Sequence, residues 1–113
     1  MSTRCTVHFG VGGDAHGGEV IIYKHYDGYP DNMVPLLQRF LSREGEIYHD
    51  SRRNDPSYLA ARFVHYLTTV DDEDYDGLGV GICATDPGDI AFSYLVNNNG
   101  AFTVRDVYGI ACV

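Results

Sequence analysis

The sequence predicts a single α+β domain over residues 1–113, with element order ββααβββ and a mainly antiparallel sheet packed with two helices. Three observations predict it. Strand-like runs open and close the chain, two segments of helical apolar spacing lie between them, and no repeat or linker divides it. The length of 113 residues suits one domain, and 44% hydrophobic with 21% charged residues is an ordinary balance for a packed globule.

Residues 4–9 alternate, placing Cys5, Val7 and Phe9 on one face and Thr6 and His8 on the other, as in a half-buried strand. The link from Gly10 to Gly18 has the composition of a long hairpin loop, with Asp14 and His16 at its tip. A strand follows it, not the helix that a dinucleotide-binding glycine loop requires, and no Gly-Lys-Ser/Thr forms a P-loop. Residues 19–26 are rich in β-branched and aromatic types on both faces, which predicts an interior strand.

Asp27-Gly28-Tyr29-Pro30 stops that strand. Asn32 is the predicted cap of the first helix, with Pro35 in its first turn and Gly45 as its stop. Met33, Leu36, Leu37, Phe40 and Leu41 form its apolar stripe. Asp55-Pro56 opens the second helix, whose Leu59, Ala60, Phe63, Val64 and Leu67 recur at helical spacing towards Val70. Three strands are predicted to close the domain. Leu78, Val80, Ile82 and Ala84 alternate in the first, and Ile90, Phe92, Tyr94 and Val96 share a face in the second. Asn99-Gly100 then turns the chain into 101–108 as the partner strand.

The net charge of −8 is concentrated. Residues 1–70 carry seven basic and eight acidic side chains, whereas 71–113 carry Arg105 against eight acids. Such a field opposes nucleic-acid binding, which needs cations for the phosphates; keeping the protein soluble is the plainer reading of it, and a basic protein partner is the other. Cys5, Cys83 and Cys112 are odd in number, form no CxxC pair and sit in apolar runs, where a thiol acts as a small hydrophobe. Met1-Ser2-Thr3-Arg4 has no signal-peptide character, and no segment reaches the length of a membrane span. A cytoplasmic protein without membrane contact is the expectation.

The first candidate site is Tyr23, His25, Asp27 and Tyr29. On an extended strand the first three share a face, and a carboxylate beside an imidazole orients it for acid–base work. The plainer alternative is that His25 and Asp27 bond to each other and fix the turn. Arg52 and Arg53 are candidates for anion recognition beside it. The segment Tyr23-Lys24-His25-Tyr26-Asp27-Gly28-Tyr29-Pro30, with Pro56-Ser57-Tyr58-Leu59-Ala60-Ala61 further on, resembles a small family of microbial and phage-type proteins. These share Tyr-(Lys/Arg)-His-x-Asp-Gly-Tyr-Pro; the resemblance covers about two-thirds of the chain and implies no activity.

The second candidate is Asp72, Glu73, Asp74 and Asp76. Asp72-Glu73-Asp74-Tyr75-Asp76-Gly77 opens like a calcium-binding loop, but its twelfth position is Cys83 where a bidentate Glu is required. It is expected to be a solvated acidic surface. The five histidines have no metal-ligand spacing, no complete catalytic set is visible, and neither metal nor cofactor is expected. The expected function is a protein-binding or regulatory module, such as a phage or mobile-element inhibitor of a host protein. The alternative is a small enzyme or nucleotide binder centred on His25, Asp27 and Tyr29. A homo-oligomer is a third reading.

Overall fold

A computed structural model describes residues 3–10, 19–47, 55–70, 79–83, 87, 88, 90–96 and 101–106. Five strands are present: β1 (Cys5–Phe9), β2 (Val20–Lys24), β3 (Val80–Cys83), β4 (Phe92–Val96) and β5 (Phe102–Asp106). Helices α1 (Pro30–Ile47) and α2 (Pro56–Val70) lie between β2 and β3 in the chain. The order is the predicted ββααβββ.

The strands form one mixed sheet in the order β3-β2-β1-β4-β5. Three neighbouring pairs are antiparallel, and the central pair, β1 with β4, is parallel. β2 is interior, as its two apolar faces require. Paired residues across a sheet share a face. Val20, Ile22 and Lys24 therefore stand beside Phe9, Val7 and Cys5, with Val96, Tyr94 and Phe92 on the other side.

The helices cover this face. Met33, Leu36, Leu37 and Phe40 of α1 and Leu59, Ala60, Phe63, Tyr66 and Leu67 of α2 close the core against Cys5, Val7, Phe9, Ile22, Tyr94, Val96 and Val104. Phe9, Phe40 and Phe63 meet edge to face at its centre, with ring centroids 5.1–6.4 Å apart.

The start of α1 differs from expectation. Pro30, not Asn32, opens the helix, because its fixed φ suits the first helical position. The carbonyl of Tyr29 accepts the amides of Asn32 and Met33, and the Asn32 side chain turns back to donate to the Asp27 carbonyl (2.7 Å). Pro35 lies inside the helix on its exposed side and has no N–H to offer the Asp31 carbonyl. Nor does Gly45 stop the helix, since a helical glycine costs only about 1 kcal/mol. α2 begins as predicted: Asp55 Oδ1 accepts the amides of Ser57 (2.9 Å) and Tyr58 (3.4 Å).

Candidate functional site

The turn after β2 is built around its glycine. Asp27 takes a left-handed conformation (φ 55°), which an Asp side chain tolerates. A Cβ on Gly28 would lie 2.7 Å from Cys5 Cβ and 2.8 Å from the Thr3 carbonyl oxygen, so only glycine fits against β1. Its amide donates to that Thr3 oxygen (2.8 Å), and its buried carbonyl accepts the Tyr94 hydroxyl (2.6 Å). Lys24, 2% exposed, donates from Nζ to the Tyr26 carbonyl. Burial pushes the Cys5 thiol up to about 12, and the Lys24 charge acts in the opposite direction.

Strand geometry ends at Lys24, and this separates residues that alternation placed together. Tyr23 keeps its relation to His25, with Tyr23 Oη and His25 Nδ1 2.7 Å apart. The Asp27 carboxylate is exposed, and among the described residues no hydrogen bond joins it to His25. Tyr29 is exposed beyond the turn, and Tyr26 packs its ring edge to face with His25 at 4.6 Å. Tyr23 and His25 thus form a pair, while Asp27 and Gly28 serve the turn through their backbone. Arg52, Arg53, Asp72, Glu73, Asp74 and Asp76 lie outside the described residues, as do Asp14, His16 and Cys112.

The sheet face opposite the helices carries a hydrogen-bonded chain that sequence spacing did not expose. Glu19 Oε2 lies 2.6 Å from His8 Nδ1, His8 Nε2 lies 2.8 Å from Thr6 Oγ1, and Thr6 Oγ1 lies 3.2 Å from Ser93 Oγ. An ionised carboxylate only accepts, so Nδ1 carries a proton, while Nε2 and the Thr6 and Ser93 hydroxyls can each take either the donor or the acceptor role. Thr6 and His8 are buried, Ser93 is half-buried and Glu19 is exposed. The alternation of Thr6 and His8 was the one signal available. The contributions of Glu19 and Ser93 come from strand register, and Ser93 arrives through the non-local parallel pairing of β4 with β1.

The third feature is the edge strand β3. Its residues, Val80, Gly81, Ile82 and Cys83, include no charge. The opposite edge, β5, carries Arg105 and Asp106. Ile82 points to the helix side yet is 72% exposed, because the helix layer lies over β1 and β2. Cys83 is half-buried, where its apolar run had suggested full burial.

The outward groups of β3 follow from its register. The His25 amide donates to the Gly79 carbonyl (2.8 Å), so this pair is a hydrogen-bonded one. Such pairs alternate along an antiparallel ladder, which makes Tyr23–Gly81 and Ile21–Cys83 hydrogen-bonded as well. Val80 and Ile82 therefore direct their N–H and C=O groups away from β2. Among the described residues no strand lies beyond them.

Among the described residues no group of three His, Cys, Asp or Glu side chains is placed to hold a metal, and no helix is long and apolar enough to cross a membrane. No family model, curated protein or solved structure matches the chain.

Proposed function

We propose that the protein is a binding module that captures an extended, basic segment of a partner protein by strand addition to β3. The observation that carries the reading is the uncharged β3 edge, with Ile82 72% exposed and the backbone groups of Val80 and Ile82 directed outward. Soluble proteins usually protect such an edge with charge, proline or a covering element. Main-chain pairing supplies affinity in strand addition, and side chains on alternate positions supply selectivity.

Charge supports a basic partner. Asp72, Glu73, Asp74 and Asp76 lead directly into Gly79 and Val80 in the chain. At about 3.6 Å per residue, covalent reach alone keeps Asp76 within roughly 14 Å of Val80. Negative charge near the docking edge would speed capture of a Lys/Arg-flanked strand and favour it over an acidic one. Exposed Tyr26 follows His25, whose amide pairs with Gly79 at the start of β3, and adds contact area of the type favoured at interfaces. An inhibitor of a basic host protein is a concrete form of this activity.

The test is a lysate pull-down with the wild type, Ile82→Lys, and a variant with Asp72, Glu73, Asp74 and Asp76 all neutralised. One partner retained by the wild type and lost by both variants is the expected result. Equal capture by all three proteins refutes the reading.

A second reading, a small-molecule or nucleotide site at the His25–Tyr29 turn, is favoured by the Tyr23–His25 hydrogen bond. Titration with nucleotides, followed through the His25 ring resonances, tests it. Saturable shifts lost in Tyr23→Phe support it, and unchanged spectra refute it.

A further inference from the structure

We propose that Arg39 and Arg43, with Gln38 and Ser42, form a binding site for a small organic phosphate monoester on the outer face of α1. The site is separate from strand capture at β3 and does not depend on it. Met33, Leu36, Leu37 and Phe40 carry the apolar stripe of α1 into the core, whereas Pro35, Gln38, Arg39, Ser42 and Arg43 are all exposed. These five residues line an open hollow of about 440 Å³. Small-ligand sites span roughly 300–1,000 Å³, so the hollow has room for a phosphoryl group and its ester.

Arg39 and Arg43 stand one turn apart, where Cβ atoms are about 5–6 Å from each other and like charges repel. Acids outnumber bases by 16 to 8 in the chain, yet among the described residues no carboxylate pairs with either guanidinium. The acids of the same helix, Asp31, Glu44 and Glu46, lie outside the 35–43 span. The helix also belongs to the nearly balanced residues 1–70, not to the acidic remainder. Arg43 is held in place, with its guanidinium carbon 5.7 Å from the centroid of the buried Tyr66 ring. A guanidinium over a ring face keeps its in-plane N–H groups able to donate.

The donor set selects the ligand. A carboxylate has one charge and two oxygens, which a single arginine satisfies. A phosphate monoester carries close to two charges at neutral pH and three terminal oxygens, which matches two arginine forks on adjacent sides. The Ser42 hydroxyl and the Gln38 amide can donate to the remaining lone pairs. Bound this way, the dianion would also relieve the repulsion between the two arginines.

The test titrates the full chain at pH 7.5 with phenyl phosphate, phenyl sulfate and inorganic phosphate, followed by NMR through the amides of residues 36–43 and the arginine Nε–H resonances. Saturable shifts confined to this segment are expected with phenyl phosphate, and phenyl sulfate, one charge poorer, should bind more weakly. Arg39→Gln and Arg43→Gln should each weaken phenyl phosphate by about tenfold or more, the scale of one lost charge-assisted hydrogen bond. Arg105→Gln removes the same charge from β5 and should leave binding unchanged. Circular dichroism verifies that the variants fold, and Arg39 has no packing contact to lose comparable with that of Arg43 on Tyr66. No saturable shift, inorganic phosphate bound as tightly as the ester (an adventitious ion only), or an equal loss in Arg105→Gln overturns the proposal.

Discussion

Replacing Gly28 with alanine should destabilise the domain by about 2–4 kcal/mol. The added Cβ would sit 2.7 Å from Cys5 Cβ and 2.8 Å from the Thr3 carbonyl oxygen, against an ordinary carbon contact of about 3.5–4.0 Å. Neither neighbour can yield by rotating a side chain. The oxygen belongs to the backbone leading into β1, and Cys5 Cβ is fixed on the strand itself. Overpacking of this kind costs roughly 1–3 kcal/mol. Moving Gly28 away would also stretch the bonds that its amide makes to Thr3 and its carbonyl accepts from Tyr94, each worth about 1 kcal/mol. In a domain of this size the sum lowers Tm by on the order of 10 °C. Urea denaturation followed by circular dichroism measures it, with an unchanged slope separating stability from altered compactness. Asp27→Gly is the control: at φ 55° the substitution relieves strain, so stability should hold or rise by up to about 1 kcal/mol. A Gly28→Ala protein as stable as the wild type would refute the close approach of turn and strand.

Cys5 gives a pH signature. Its folded value of about 12 lies above the ordinary 9.0, so burial favours the neutral thiol and contributes stability in full below pH 9. That contribution, on the order of 4 kcal/mol, is lost as pH rises from 9 towards 12. Unfolding free energies between pH 8 and 10.5 should fall more steeply for the wild type than for Cys5→Ala, and parallel slopes would contradict the burial. Asp55→Ala removes the carboxylate that caps α2 through Ser57 and Tyr58 and should cost about 1 kcal/mol in the same denaturation assay.

Much of the architecture was legible because it depends on local periodicity. The alternation Cys5, Val7, Phe9 and the spacing of Leu59, Phe63 and Leu67 name the faces that meet in the core. The bounds of α1 were less legible, since Pro30 and Asn32 both fit a helix start and the choice depended on where Asn32 found its acceptor. The described residues show no hydrogen bond between Asp27 and His25 for a related reason: alternation holds only while the chain stays extended, and a left-handed residue ends it. Non-local pairing was beyond spacing altogether. Nothing in the chain announces that β4 lies parallel to β1, and so the meeting of Ser93 with Thr6 was invisible. The exposure of Ile82 was hidden too, because an alternating apolar run looks the same whether or not a helix covers it.

Strand capture at β3 is tested most directly by amide hydrogen exchange, residue by residue, without and with an excess of the peptide Lys-Lys-Val-Thr-Val-Thr-Val-Lys-Lys. In the free protein the amides of Val80 and Ile82 should exchange fast, and those of Gly81 and Cys83, which face β2, should exchange slowly. With the peptide, protection should appear at Val80 and Ile82, and the matching peptide with Glu in place of Lys should give less. Protection confined to α1, α2 or β5, with Val80 and Ile82 still exchanging fast, would contradict capture at this edge.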